Sequence, residues 1–124
     1  MGQTLAIAAG GALGALLRFW GANWVYSLLG RGFPYGTLAV NLIGSLAMGL
    51  CYVWLVERAS FGPEWRALVM GGFLGAFSTF STFSIETMNL LEAGALVKAL
   101  LNMVLSVVLC VLAAWLGLVA GRQL

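Results

Sequence analysis

The sequence contains no histidine and no aspartate, and charged residues make up only 8% of its 124 positions. Without histidine, the side chain most often used for proton transfer near neutral pH is missing. The four carboxylates, Glu57, Glu64, Glu86 and Glu92, are scattered rather than paired. Enzymatic acid–base chemistry is therefore not expected. Cysteine is nearly as scarce. Cys51 and Cys110 both fall inside apolar runs, and with no histidine beside them neither a disulfide framework nor a zinc site is expected. Proline occurs twice, at Pro34 and Pro63, each time in a short joint between apolar runs. No nucleic-acid partner is expected.

What fills the chain instead is hydrocarbon. Hydrophobic residues make up 62% of it, and the mean hydropathy of +1.02 lies far outside the soluble globular range. Four apolar runs, Leu5 to Leu29, Gly36 to Val56, Ala67 to Leu91 and Ala95 to Ala120, each approach or exceed the ~20 residues needed to cross a bilayer. The expectation is an all-α, multi-pass protein whose residues 1–124 form a single four-helix domain in the lipid bilayer, with no soluble domain. The first run is not expected to be a cleaved signal, because no basic stretch precedes it and it continues, with Arg18 inside, past signal length.

Four spans put the N-terminus, the second joint and the C-terminus on one side. That side carries Arg58, Arg66 and Arg122, and the other carries Arg31 and Lys98. Three against two is almost no bias, so insertion in both orientations is expected. The pairs Gly10/Gly14 and Gly71/Gly75, together with Gly44 to Gly49 around Ser45 and Ala47, suit close helix contacts. A chain this small leaves little room for a polar path inside one subunit, which points to an oligomer.

One segment breaks the apolar pattern. Ser78 to Ser84 reads Ser-Thr-Phe-Ser-Thr-Phe-Ser, following the glycine-rich Gly71-Gly72-Phe73-Leu74-Gly75-Ala76. Glycine costs about 1 kcal/mol relative to alanine in a helix, and Ser and Thr compete for backbone groups. Carbonyls between Gly75 and Thr79 are therefore expected to leave the helical ladder and to be free for a cation. The alternative is that the hydroxyls bond back one turn and only bend the helix. On a helix, Phe80 and Phe83 form one stripe, Ser78, Ser81 and Ser84 a second, and Thr79 and Thr82 a third. The positive edge of the two rings can face an anion, although phenylalanine in a span usually packs. Asn41, one turn from Thr37, either donates to an anion or ties helices together, and spacing alone leaves both open. Arg18 suits an anion vestibule, and Glu86, a turn beyond Phe83, a surface or vestibular position. Phe73 and Phe77 are expected to pack.

Three stretches carry a family likeness: Gly-Gly-Ala-Leu-Gly-Ala-Leu-Leu-Arg at 10 to 18, Gly-Thr-Leu-Ala-Val-Asn at 36 to 41, and Gly-Phe-Leu-Gly-Ala-Phe-Ser-Thr-Phe-Ser-Thr-Phe-Ser-Ile-Glu at 72 to 86. They closely resemble the CrcB/Fluc fluoride channels. The resemblance implies a dual-topology antiparallel homodimer in the bacterial inner membrane, exporting fluoride passively through two pores around a central structural sodium ion. It implies sodium-binding carbonyls at Gly75 and Ser78 in a broken third helix. It also implies a fluoride pore with Phe80, Phe83 and Asn41 and a hydroxyl track at Ser81 and Thr82. Thr37 is counted with that pore, and Arg18 and Glu86 with its vestibule. Where relatives offer a serine on the fourth span, this chain has Cys110, and which of Cys110, Asn102 and Ser106 lines the pore is open. The rival readings are a proton-coupled exporter of the small multidrug resistance type, for which Glu86 is the only candidate carboxylate, and a non-transporting scaffold subunit.

Overall fold

The computed structural model describes residues 1–59 and 61–124. Four helical spans account for nearly all of them: Gly2–Leu29, Tyr35–Glu57, Pro63–Glu92 and Leu96–Gln123. Each is long and apolar enough to cross a membrane. The boundaries extend the hydropathy runs by a few residues, because the ends recruit polar residues that hydrophobicity does not register. Thus the third span begins at Pro63, whose fixed φ suits a first helical position. Two joints turn on glycines in the left-handed region, Gly30 at φ 82° and Gly94 at φ 79°, where a side chain would be strained.

The bundle is held mainly by two helix pairs, first against third and second against fourth. Glycine brings the backbones of each pair into contact. A Cβ on Gly10 would overlap the Leu68 carbonyl, and one on Gly14 the Phe73 carbonyl. Across the same seam, a Cβ on Gly72 would lie 2.7 Å from the Ile7 carbonyl oxygen. In the other pair, Gly49 faces the Ala114 carbonyl and Gly117 the Leu46 carbonyl. The expected Gly10/Gly14 contact is thus present. On the third span, however, Gly72 rather than the Gly71/Gly75 pair makes the closest approach, because Gly71 meets only the flexible Ile7 side chain at 3.7 Å.

Two stretches wind more loosely than an α-helix. Arg58 N–H reaches the Val53 carbonyl five residues back at 2.9 Å, closing a π-type turn over Val53–Glu57. A longer π stretch covers Ala67–Leu74, after which Gly75 N–H contacts the Met70 carbonyl. Such turns are rare and disturb the regular ladder. The second of them leads directly into the polar segment.

The ends of the bundle are tied by side chains. Lys98 Nζ donates to the Gly32 carbonyl at 3.0 Å, joining the start of the fourth span to the first joint. On the opposite end, Arg58 donates to the Gly121 carbonyl at 3.0 Å, and Arg122 forms an exposed pair with Glu57 at 2.7 Å.

Candidate functional site

The polar segment is organised around two residues that are not helical. Ser78 (φ −91°, ψ 156°) and Thr79 (φ −149°, ψ 125°) have extended backbone, lying between the short turn Gly75–Phe77 and the helix Phe80–Glu92. An extended residue in hydrocarbon has backbone groups that water cannot satisfy. Asn41 supplies the partners: its Nδ2 donates to the Thr79 carbonyl at 2.9 Å and its Oδ1 accepts from Thr79 N–H at 2.7 Å. Of the two roles open to Asn41, the geometry displays the tie. Gly44, one turn further along the second span, leaves room for this approach, since a Cβ there would sit 3.2 Å from Ser78 Cβ.

The local chemistry explains why the helix restarts at Phe80. Thr79 is its N-cap, with Oγ1 accepting from Thr82 N–H at 3.3 Å. The hydroxyls divide between the two expected behaviours. Ser78, Ser84 and Thr87 bond back to the Leu74, Phe80 and Phe83 carbonyls. Thr79, Ser81 and Thr82 cluster instead, with Thr79 Oγ1 at 3.1 Å from Thr82 Oγ1 and 3.5 Å from Ser81 Oγ.

The Gly75 and Ser78 carbonyls are among those this arrangement leaves out of the helical ladder. The N–H that would close the α-helical ladder on the Gly75 carbonyl is that of Thr79, which is committed to Asn41. The N–H that would close it on Ser78 is that of Thr82, which is committed to the Thr79 side chain.

On one side of this segment lies a groove of about 460 Å³, open along the bundle surface. Asn41, Ser78, Phe80 and Phe83 line it from the second and third spans, and Ser106 and Cys110 from the fourth. The two rings are 5.3 Å apart at 46°, but their environments differ. Phe83 is 8% exposed and Phe80 is 75% exposed. Asn102 does not line the groove. It is 2% exposed and donates to Thr87 Oγ1 at 2.9 Å, fastening the fourth span to the helix that carries Phe83. Phe73 and Phe77 stack on each other away from the groove lining, with centroids 6.1 Å apart.

The remaining predicted residues meet at a second cavity of about 260 Å³, lined by Arg18, Thr37, Thr79, Thr82 and Glu86. Ser81 is exposed and lines neither space. Sequence reasoning missed Tyr26, which also lines this cavity and donates to Glu86 Oε2 at 2.9 Å. Its position two turns after Arg18, on the same side of the first helix, was the available signal.

A family model described as CrcB-like protein, Camphor Resistance (CrcB), matches residues 5–118. Similar proteins named fluoride-specific ion channel FluC occur in several bacteria. That of Methylococcus capsulatus is 56% identical over 119 residues, covering 96% of this chain and 52% of its own length, so the chain spans about half of that relative. Those of Magnetococcus marinus and Coxiella burnetii are 55% and 50% identical, and the alignments cover 94% and 98% of this chain and 94% and 99% of the relatives.

Proposed function

Because the chain belongs to the CrcB-like family, we propose that it is a fluoride channel of the bacterial inner membrane, built from two antiparallel copies and conducting fluoride passively. The observation that carries this reading is the groove lined by rings and hydroxyls, whose outer wall, Phe80, is three-quarters exposed. A second copy laid against that face closes the groove into a pore. Fluoride is small and strongly hydrated, so a pore has to replace its water with many weak partners, none of which traps it. Ring edges of Phe80 and Phe83 and the hydroxyl of Ser106 supply such partners in the groove, and the hydroxyls of Thr37 and Thr82 supply them in the adjoining cavity. Arg18 supplies the attraction at the vestibule, with Glu86 beside it. The Asn41 amide faces the same groove while it holds Thr79.

Extended backbone at Ser78 and Thr79 serves in this reading as a break in the third helix. The released carbonyls of Gly75 and Ser78 suit a hard cation such as sodium, for which unwound backbone is a common source of ligands in membrane proteins. Gly75 and Ser78 from both copies would hold it. Bound there, sodium is structural: it offsets the partial negative charge of the carbonyls and fixes the two subunits against each other. Residues 1–124 then act as one channel unit.

The test is fluoride efflux from liposomes containing only this protein, with chloride as the competing anion. Rapid fluoride loss without a proton requirement is expected. Equal chloride permeation, or no fluoride movement, would overturn the proposal. Proton movement coupled to drug transport would support the exporter.

A further inference from the structure

We infer that the Tyr26 hydroxyl is an anion ligand of the conduction route, exchanging its hydrogen bond from Glu86 to the passing ion; this rests on the channel reading above. Two further cavities lie beside the groove, and the inner one shares Thr79 with it. The inner one, about 260 Å³, is bordered by Arg18, Thr37, Thr79 and Thr82. The outer one, about 210 Å³, lies under Arg31 at the first joint. A water molecule takes about 30 Å³ of liquid volume, so both can hold a partly hydrated small anion. Among the described residues, Tyr26 and Glu86 alone line both cavities. They form the partition.

The chemistry of that partition is asymmetric. As the acceptor of the Tyr26 O–H, the Glu86 carboxylate presents no donor to an anion. Its Oε1 is buried with no hydrogen-bond donor among the described residues. The phenol is the group at the junction that can turn toward an anion. Its single proton is committed to Glu86 Oε2 at 2.9 Å, which leaves Thr37 as the donor in the 3.4 Å contact with the Tyr26 oxygen. The Arg31 guanidinium lies over the Tyr26 ring, 4.5 Å from its centroid, and is itself held by Asn23 Oδ1 at 3.1 Å. This stacking fixes the ring plane. Rotation of the O–H alone then transfers the donor from carboxylate to anion, and Thr37 follows with a second donor. An arginine on each side, Arg31 outside and Arg18 inside, makes both cavities attractive to the same ion.

Tyr26→Phe keeps the ring and its stack under Arg31 while removing the donor. Single-channel recording in planar bilayers separates conduction from assembly. The expected result is a unitary fluoride current lower by about tenfold, the scale of one lost hydrogen bond, with channels still found as often as in the parent and the protein eluting as a dimer. An unchanged unitary current would overturn the inference, whether channels are as frequent or fewer, since the latter reflects folding alone. Glu86→Gln gives an independent arm. Its amide oxygen holds the phenol more weakly than a carboxylate, so unitary current should exceed that of the parent, and an equal or lower current would reject the exchange. A parent chain that carries no fluoride current would instead refute the channel reading itself.

Discussion

Asn41 shows how a single side chain can stand in for a missing piece of secondary structure. By bonding both backbone groups of Thr79, it makes two extended residues tolerable within a span. Asn41→Leu keeps the branched shape and leaves both groups without partners, each at a cost of about 1–3 kcal/mol. Thermal unfolding in detergent should register a loss of about 2–6 kcal/mol. The phenyl pair calls for a different measurement. Replacing Phe80 or Phe83 with Ile removes the positive ring edge but little volume, so stability should change by less than about 1.5 kcal/mol. Under the proposed function, fluoride flux through either variant collapses while the dimer persists, whereas Phe73→Ile, within the Phe73–Phe77 stack, retains flux. Equal and mild effects at the three positions would defeat the pore role of the rings. At this scale the sequence exposed the hydroxyl run and the weak ladder near Gly75, since both depend on neighbours in the chain. Tyr26 stayed hidden because its partners Thr37 and Glu86 lie 11 and 60 residues away, and a phenol in a span is ordinary on its own.

The helices themselves were legible from hydropathy, because the length of an apolar run and the absence of charge are one-dimensional properties. Their partners were not. Small-residue spacing marks several faces of each helix, and only the assembled bundle selects Gly72 over Gly71 and Gly75 for the seam with the first helix. The π-type turns over Val53–Glu57 and Ala67–Leu74 were equally invisible, since no residue type specifies a bond to the fifth neighbour. The seams give a clear expectation. In Gly14→Ala or Gly49→Ala the new methyl meets a backbone carbonyl of the partner helix, which cannot move without separating the pair. Each should destabilise the protein by about 1–3 kcal/mol, the range for overpacking. Gly21→Ala is the control. Its methyl would meet only Val40 Cγ1 at an ordinary 3.8 Å, and the gain in helix propensity, up to about 1 kcal/mol, should leave it as stable as the parent or more so. Urea or thermal titration of the three variants side by side decides the matter.

For the whole molecule, the near-balance of basic residues has a consequence that can be engineered. With Arg58, Arg66 and Arg122 on one side and Arg31 and Lys98 on the other, a change of two charges sets the orientation. Gln123→Lys combined with Leu124→Lys should direct the C-terminal side almost wholly to the cytoplasm, as read by single-cysteine labelling in a background lacking Cys51 and Cys110. If antiparallel pairing is required for conduction, these cells lose fluoride efflux, and adding a variant with Lys on the opposite loops restores it. Efflux that survives in a population of one orientation would exclude antiparallel assembly. The proposed sodium site supplies the companion test. A structural ion is held rather than carried, so replacing sodium with a large organic cation should reduce fluoride flux slowly, over the time of ion loss, and no sodium current should accompany fluoride.

Glycine seams also set how this protein can vary. In most water-soluble domains the damaging core changes are truncations, because they leave cavities. Here much of the interior is main chain against main chain, with only a few large side chains fully enclosed, so there is little to truncate. Saturation mutagenesis should therefore yield an inverted tolerance map: shortening apolar side chains on the outer surface is mostly silent, while gaining a single carbon at Gly10, Gly14, Gly49, Gly72 or Gly117 is not. Sequence drift in such a protein is confined by what can be added to it.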